Sequence, residues 1–378
     1  MNRLLSYLRA IRDAPRRYSL IRERSRLVRS QSALPCIGMG GVLSPGRLIH
    51  GGAVKLLTLA RHFDCNDSAF NILYAVSSAQ PDFAADLAQQ CHSRGIPMVW
   101  NQNGVGYPAW AGNDSEFHNA SMRKLRNMAD FVIYQSEFCR RSAERFLGPS
   151  NKPSATLLNP VDLNKFSPAK VPLSEHPIRL LAMGTQNYRG RVSAALQTLA
   201  NLRSQGVESR LTIAGRLLWK GAEDDVASEA RALGISEAVQ RMGAFTQDEA
   251  LEIYRSHHIL LHPKFMDPCP TVVAEALACG LPVVAPSTGG IPEMVDASCS
   301  RLVPAPEDWD SPHTPAANDM AAAVIDVAAH LAQMSKNARL VAESRFDSAQ
   351  WVEAHWKIFS AVLSGTAEKL SWAIHAVK

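Results

Sequence analysis

The segment His262–Val295 reads HPKFMDPCPTVVAEALACGLPVVAPSTGGIPEMV and decides the fold. A predicted strand, Ile259–His262, enters a proline-rich loop that cannot continue as a strand. A predicted helix, Thr271–Cys279, follows this loop and ends at Gly280, because glycine readily adopts the conformation that closes a helix. A second β-branched strand, Pro282–Ala285, comes next. This order of strand, loop, helix and strand is typical of a parallel sheet that binds its ligand at the carboxyl ends of the strands.

Two acidic residues bracket the start of this helix. Asp267 lies in the loop and Glu275 in the helix, where the neighbouring apolar residues suffice for packing. A carboxylate has two accepting oxygens, so Glu275 can accept hydrogen bonds from both hydroxyls of a ribose. The free N–H groups and the positive dipole end near Thr271 suit an anionic diphosphate. The residues alone leave open a second reading, in which Glu275 is a solvated surface glutamate.

The whole string resembles the donor-binding motif of glycosyltransferase family 4. It has an acid, seven residues and a glutamate, followed by ALACGLPVV and a GG-x-PE turn. The resemblance implies the α/β GT-B fold, in which two Rossmann-like doubly wound domains face each other across a cleft. The family more often has Glu-Pro-Phe-Gly or Glu-Gly-Phe-Gly where this chain has Asp267-Pro268-Cys269-Pro270.

The resemblance also implies an activity, that of a retaining glycosyltransferase of the hexosyltransferase type. Such an enzyme moves a sugar from a UDP- or GDP-linked donor to a hydroxyl of a saccharide or lipid-linked acceptor, here in bacterial polysaccharide, lipopolysaccharide or glycolipid assembly. No cofactor or metal is implied, and a donor phosphate oxygen takes the acceptor proton. Glu275 would hold the ribose and Asp267 the donor sugar. An inactive GT-B scaffold that binds a partner or membrane, and a GT-B nucleotide-sugar epimerase, are the alternatives.

The length of 378 residues predicts two domains after a short extension. Residues 1–30 are basic and amphipathic, 31–170 form the N-terminal acceptor-side domain, and 171–347 form the C-terminal donor-binding domain. By analogy with the family, the last helix within 348–378 packs back on the first domain.

Composition excludes several classes of protein. The formal net charge is +5, and nine arginines fall in the first thirty residues, so the remainder is close to neutral. A nucleic-acid partner is therefore not expected. Seven cysteines without a C-x-x-C spacing predict free thiols in a reducing cytoplasm. The chain contains no apolar run of about 18 residues that would span a bilayer.

The basic segment 1–30 suits an anionic membrane surface, because arginines beside an apolar helical face favour such contact. It predicts a peripheral location at the inner face of the cytoplasmic membrane. A solvated extension, or a helix packed on the protein, explains the same pattern equally well.

Basic residues for the donor diphosphate are expected in a loop of the second domain. Arg189 and Arg191 follow the predicted strand Ile178–Met183, at a place where the family carries an arginine and a lysine. An arginine binds phosphate oxygens in a fork and stays charged in a closed cleft. Arg189 is the favoured catalytic candidate, and Lys220, in a second glycine-flanked loop, is the reserve. The alternative is an exposed loop arginine without a ligand.

Two polar loops of the first domain complete the predicted site. Gly52 opens a helix and resembles the family's glycine-rich loop, which faces the donor phosphates; a tight turn is the alternative. Asn103 follows a strand at the place where family members often have a histidine, and it is the acceptor-side candidate. An Asn-Gly turn explains Asn103 as well.

Two metal-like patterns are read as structural. Asp308-Trp309-Asp310 matches the D-x-D of metal-dependent glycosyltransferases but lies in a proline-rich loop. His257, His258 and His262 surround a strand without the spacing of a zinc site, so we interpret them as strand-end residues.

Overall fold

The computed structural model describes residues 27–43, 52–171, 173–174 and 176–370, which form two α/β domains. Most of the basic N-terminal segment lies outside these residues. In chain order the strands are β1 (Val28–Arg29), β2 (Cys36–Gly38), β3 (Asp64–Cys65), β4 (Ala69–Phe70), β5 (Ile72–Val76), β6 (Met98–Gln102), β7 (Phe131–Tyr134), β8 (Ser154–Thr156), β9 (Ile178–Met183), β10 (Ser209–Ala214), β11 (Val239–Met242), β12 (Ile259–Leu261), β13 (Val283–Pro286) and β14 (Ser300–Val303).

Helices alternate with these strands, as a doubly wound fold requires. They are α1 (Gly52–Ala60), α2 (Ala84–Ser93), α3 (Pro108–Ala111), α4 (Ser115–Met128), α5 (Glu137–Leu147), α6 (Arg189–Ser204), α7 (Ala222–Ala232), α8 (Gln247–Arg255), α9 (Thr271–Ala278), α10 (Ile291–Met294), α11 (Ala317–Ala329), α12 (Leu331–Arg345) and α13 (Ser348–Leu363). Single 3-10 turns lie at Gly112–Asp114, Ser236–Ala238 and Ala367–Leu370.

Each domain is built on a parallel six-stranded sheet. The first sheet has the order β3-β2-β5-β6-β7-β8, and the second has the order β11-β10-β9-β12-β13-β14. In β9, Leu180 and Ala182 pack in one core cluster while Leu181 and Met183 pack in another. Alternate residues thus bury both faces of the sheet under helices, which explains the nearly continuous apolar strands. The predicted α/β class with two doubly wound domains is confirmed.

The local pattern of the central segment is close to the one predicted. Helix α9 covers Thr271–Ala278, one residue shorter than predicted, and β13 covers Val283–Pro286, one residue later. Among the described residues, no helix has the length and apolar character needed to cross a bilayer.

The last long helix, α13, packs on the first sheet although it follows the second domain in sequence. Phe359 and Trp356 contact Phe63 with ring centroids 5.1 and 4.7 Å apart. The buried His355 lies with Nε2 3.0 Å from the hydroxyl of Tyr74 in β5. The chain therefore crosses from the first domain to the second and back again.

Loops at the carboxyl ends of the two sheets meet each other. Ser136, just after β7, donates from Oγ to the Pro268 carbonyl at 2.7 Å. Tyr107, which follows β6, donates from its hydroxyl to the Met266 carbonyl at 3.3 Å. Because both contacts lie at carboxyl ends of parallel strands, they mark the edge where such sheets bind ligands.

Candidate functional site

The loop between β12 and α9 is held by two glycines of the loop that follows β13. A Cβ atom on Gly289 would lie 2.5 Å from the Asp267 carbonyl oxygen, and one on Gly290 would overlap the Pro268 carbonyl. The Gly290 N–H also donates to the Asp267 carbonyl at 2.9 Å. Any larger residue would push the two loops apart, so the GG turn fixes the position of Asp267.

Asp267 is buried and is paired with two basic side chains. Its Oδ2 lies 3.0 Å from His262 Nε2 and 2.9 Å from Lys264 Nζ. Burial acts to raise the pKa of Asp267, but the positive charge of Lys264 and the hydrogen bond from His262 outweigh it and hold the pKa below its usual range. Asp267 is therefore an ionised carboxylate at neutral pH.

His262 is neutral and connects Asp267 to Arg191. Burial lowers the pKa of His262 to about 4, although its hydrogen bond to Asp267 acts in the opposite direction. Its Nδ1 lies 3.3 Å from Nη2 of Arg191, which can only donate. We infer that Nε2 carries the proton and donates a hydrogen bond to Oδ2 of Asp267 at 3.0 Å.

The prediction that Arg191 contacts the donor diphosphate does not fit its surroundings. The side chain is buried, with Nη1 donating to the Thr185 carbonyl at 3.0 Å and Nη2 to the Met183 carbonyl at 2.9 Å. These carbonyls belong to the end of β9 and the following loop, so the guanidinium points inward beneath the strand end. Arg191 also contacts His262, and its role as a diphosphate ligand stays a prediction that this inward orientation does not support.

Glu275 is partly buried on α9 and is not a freely solvated glutamate. Its Oε2 accepts a hydrogen bond of 2.8 Å from the hydroxyl of Tyr254 in α8. Burial raises the pKa of Glu275 to about 7, while the Tyr254 hydrogen bond acts to lower it. A carboxylate in this state gains from any further donor that stabilises its charged form, such as a diol.

The start of α9 suits an anion. Thr271 is the first helical residue, and Pro270 before it supplies no side-chain cap to the helical N–H groups. N–H groups at the amino end of a helix carry a partial positive charge. Thr271 lies four residues after Asp267 and four before Glu275 in the chain, and its contact with the donor stays a prediction.

Arg189 and Lys220, the two predicted diphosphate ligands, both lie on the surface of the second domain. Arg189 is the first residue of α6, and its Nη1 lies 3.7 Å from Oδ1 of Asp225 in α7. Its side chain is 60% exposed, so this ion pair leaves the guanidinium accessible. Lys220 is exposed just before α7. The choice between them stays a prediction.

The edge of the first domain carries Gly52, Asn103 and a buried lysine. A Cβ atom on Gly52 would overlap Ser78 Oγ and lie 2.7 Å from Val76 Cγ1, so glycine is needed there for packing against β5. Asn103 accepts from Lys55 Nζ at 2.8 Å and donates to Ser78 Oγ at 2.5 Å. The predicted turn at Asn103 is therefore part of a side-chain network.

Glu293, from the GG-x-PE turn, links the second domain to the first by hydrogen bonds. Its two carboxylate oxygens accept from the N–H groups of Glu137 and Phe138 at 2.6 and 2.8 Å. These are the first two residues of α5, so a glutamate of the second domain caps a helix of the first. Burial raises the pKa of Glu293, although both of these hydrogen bonds oppose that rise.

The D-x-D sequence forms a turn that joins the domains. Asp308 accepts from His313 Nε2 at 2.7 Å and from the Asp310 N–H at 2.8 Å. Trp309 stacks on Phe138 of α5 with ring centroids 5.3 Å apart. Within the part of the chain that the structure describes, no cluster of three metal-binding side chains is found.

Sequence reasoning missed several residues of this site. Lys55, Tyr254, Lys264 and Glu293 were not singled out, and His262 was read only as a strand-end residue. The short spacing of His262, Lys264 and Asp267 is a local signal that points to one polar cluster. The three partners of Lys55 lie 46, 48 and 80 residues away and the carboxylate partner of Tyr254 lies 21 residues away, so neither residue has such a local signature.

Comparisons with known proteins relate this chain to glycosyltransferases. The family model "Glycosyl transferases group 1" matches residues 164–341, which contain the whole second sheet. The gpi3 subunit of phosphatidylinositol N-acetylglucosaminyltransferase from Schizosaccharomyces pombe is 22% identical over 191 residues, 50% of this chain and 41% of that protein. The putative colanic acid biosynthesis glycosyltransferase WcaL of Escherichia coli is 26% identical over 189 residues, 48% of this chain and 46% of that protein.

Solved structures extend the likeness to both domains. Anabaena Alr3699/HepE in complex with UDP superposes with a TM-score of 0.62 at 19% identity, covering 89% of this chain and 99% of that one. The pneumococcal O-GlcNAc transferase GtfA with UDP and GlcNAc gives 0.56 at 13% identity, covering 82% and 60%. The GT-B fold is confirmed, and so is the likeness to the group 1 glycosyl transferases. The chain spans less than half the length of the two curated relatives.

Proposed function

We propose that this chain, whose residues 164–341 match the glycosyl transferases group 1 model, is a retaining glycosyltransferase. It transfers a hexose from a nucleoside diphosphate sugar to a hydroxyl of a saccharide or lipid-linked acceptor. Bacterial polysaccharide, lipopolysaccharide or glycolipid assembly is the setting that we propose. The solved relatives that hold UDP make a UDP-linked donor the first to test.

One observation carries the proposal. Asp267 and Glu275 flank the uncapped start of α9 at the carboxyl edge of the second sheet, where the first domain closes over the loop. Two carboxylates with opposite pKa shifts so close to an anion-binding helix end suit a ligand with both hydroxyls and phosphates.

Each residue then has a distinct role in the proposed reaction. Glu275 holds the ribose diol, and Asp267, fixed by Lys264 and His262, contacts the hydroxyls of the donor sugar. The helix end at Thr271 and the guanidinium of Arg189 stabilise charge that develops on the leaving diphosphate. A phosphate oxygen of the donor accepts the proton of the acceptor hydroxyl, so no protein base is required.

A donor screen tests the proposal directly. Nucleotide sugars are incubated with the full chain, and release of nucleoside diphosphate is measured with and without saccharide acceptors. Release that depends on acceptor, together with an α- or β-anomer matching that of the donor, supports it. Calorimetry with UDP and GDP is the companion measurement; a chain that binds neither is a scaffold. Conversion of the nucleotide sugar into its epimer would identify an epimerase.

A further inference from the structure

Lys55 on α1 is a buried cation that none of the roles above uses. It is only 4% exposed, and its Nζ donates to three amide oxygens: Asn101 Oδ1 at 2.9 Å, Asn103 Oδ1 at 2.8 Å and Gln135 Oε1 at 3.1 Å. All three acceptors are neutral. Among the described residues, no carboxylate pairs with this ammonium group.

A buried charge without a counter-ion is costly, since neutral hydrogen-bond acceptors replace only part of the lost hydration. Burial lowers the pKa of Lys55 to about 8, while Cys269 and Cys139 act in the opposite direction. The group is therefore mostly charged near neutral pH. Costs of this kind are concentrated at functional sites, where a ligand supplies the missing charge.

The position of the three amides places this charge behind the cleft. Asn101 is the next-to-last residue of β6 and Asn103 follows that strand, while Gln135 follows β7, so all three lie at the carboxyl edge of the first sheet. Gln135 precedes Ser136, whose Oγ donates to the Pro268 carbonyl of the donor loop at 2.7 Å. The ammonium thus lies near the contact between the two domains.

Lys55 also determines the orientation of the side-chain amides of Asn101 and Asn103. It draws their carbonyl oxygens inward, so the amide N–H groups point away from it. Asn101 Nδ2 donates to the Tyr74 hydroxyl at 3.0 Å, and Asn103 Nδ2 donates to the exposed Ser78 at 2.5 Å. Asn103 Nδ2 therefore keeps one further N–H group, besides the one donated to Ser78, at this edge.

We propose that Lys55 is a positioning residue that makes this edge an anion subsite. All three N–H groups of Lys55 are donated to amide oxygens, so its uncompensated charge acts on the ligand through the electric field, while an N–H group of Asn103 contacts a phosphate group of a ligand in the cleft. The inference rests on the proposed function, because a nucleoside diphosphate sugar brings such a group. The phosphate belongs either to the donor or to an anionic acceptor.

The groups that face Lys55 permit a clean pH test. They are Tyr74 from β5, Cys139 from α5, Cys269 from the donor loop and His355 from α13. Burial raises the pKa values of Tyr74 and Cys269, raises that of Cys139 to about 12 and lowers that of His355 to about 3. Of these groups, Lys55 is the one that changes charge between pH 7 and 9.5.

Calorimetry with UDP, uridine and inorganic pyrophosphate tests the subsite. The ratio of wild-type UDP affinity to uridine affinity should fall about tenfold between pH 7 and 9.5, because uridine shares the base and the Glu275 contact but carries no phosphate. Lys55→Met should lose about tenfold in UDP affinity at pH 7 while its uridine affinity stays unchanged. Lys336→Met is the matched control. That lysine is exposed on α12, beside Ser335, which bonds the Gly280 carbonyl at the far end of α9.

Asn101→Asp is the second variant, because it keeps Lys55 and adds a buried counter-charge 2.9 Å from it. It should show the same selective loss and no decline in the ratio of UDP affinity to uridine affinity between pH 7 and 9.5. An acceptor source is indicated if UDP binding survives in both variants but pyrophosphate binding to the UDP-loaded protein is lost.

Equal loss of uridine and UDP affinity in both variants would overturn the inference, as would unchanged binding of both UDP and pyrophosphate. If wild type binds neither UDP nor uridine, the proposed function fails. Pyrophosphate binding that depends on Lys55 would still support the subsite, and pyrophosphate binding that does not depend on it would refute the subsite.

Discussion

The hydroxyl of Tyr254 lies 2.8 Å from Oε2 of Glu275 and joins α8 to α9 at the proposed ribose site. The same hydroxyl lies 3.4 Å from the Val272 carbonyl. Tyr254 is buried, so its hydroxyl stabilises the charged form of Glu275 where water is scarce. With a pKa of about 7, Glu275 is therefore close to half-ionised at neutral pH.

Tyr254→Phe should raise the pKa of Glu275. Without the hydroxyl, the pKa of Glu275 rises above about 7, since burial is then opposed only by the positive charge of Lys165. UDP affinity at neutral pH should fall about tenfold, the scale of one hydrogen bond to a charged group, and should recover as the pH is raised. Calorimetry in steps from pH 6.5 to 8.5 measures the shift. A Tyr254→Phe profile that overlays wild type would show that the hydroxyl does not tune the site.

Glu275→Gln should weaken nucleotide binding but stabilise the fold at alkaline pH. The pKa of Glu275 is higher in the folded state than its ordinary value of 4.5, so the folded state holds the proton more tightly. That stabilisation is complete below pH 4.5 and is lost as the pH rises through about 7. A glutamine does not ionise, so the variant should gain about 1–3 kcal/mol relative to wild type between pH 5 and 8.

Urea unfolding at pH 5 and at pH 8 measures this gain in the free energy of unfolding. Glu237→Gln, at an exposed residue, is the control. If the stabilities of Glu275→Gln and wild type change in parallel with pH, the pKa of this carboxyl is not raised as described.

Glu275→Ala should lose about 1–3 kcal/mol of UDP binding free energy. Undiminished UDP affinity in this variant would remove Glu275 from the site.

Asp267→Asn should reduce both turnover and stability. The change leaves Lys264 without its buried carboxylate partner, at a cost of about 3 kcal/mol in the free energy of unfolding. The folded pKa of Asp267 is depressed, so its contribution is present above pH 3.8 and is lost as the pH falls below that value. Unfolding at pH 7 and pH 3 should therefore differ less in the variant.

The same Asp267 variant should lower the rate of sugar transfer at least about tenfold, because an amide is a weaker acceptor for sugar hydroxyls. Calorimetry with UDP separates this effect from nucleotide binding, which we expect to change little. A normal transfer rate would place the donor sugar elsewhere.

Trp309→Ala should loosen the contact between the domains. The ring stacks on Phe138, meets Tyr107 edge-on with centroids 5.1 Å apart, and lies 5.7 Å from the Arg145 guanidinium. Its loss should cost about 3 kcal/mol and lower the melting temperature by several degrees. Trp110→Ala, at a tryptophan that is 54% exposed, is the control. Equal effects of the two changes would contradict this role for Trp309.

Local sequence signals predicted those parts of the site that local geometry determines. Helix α9 follows from Pro270, the apolar spacing and Gly280, and Glu275 was placed on it by counting residues. The direction of a side chain is set by tertiary packing, so Arg191 was assigned to the ligand although it turns inward beneath β9. Lys55 has no local sequence signal, because its three amide partners come from the end of β6 and from the loops after β6 and β7.

The Glu275–Tyr254 pair also shows that local sequence patterns do not predict tertiary partners. The sequence pattern predicted Glu275 from the motif, but Tyr254 belongs to the preceding helix and reads as one more residue of an amphipathic face. Only the packing of α8 against α9 brings its hydroxyl to the carboxylate. The family resemblance predicted the fold and the donor motif. The structure identified the groups that shift the pKa values of its two acids, namely Tyr254 at Glu275 and Lys264 and His262 at Asp267.

The return of α13 to the first sheet has a consequence for anyone who wishes to divide the protein. A single cut in the linker near Pro177 would release an amino-terminal half without the helix that covers Phe63 and Tyr74. Its exposed apolar face would invite aggregation. Independent expression of that half requires a circularly permuted gene or a graft of residues 348–363, and a truncation series from the carboxyl terminus would damage the opposite lobe first.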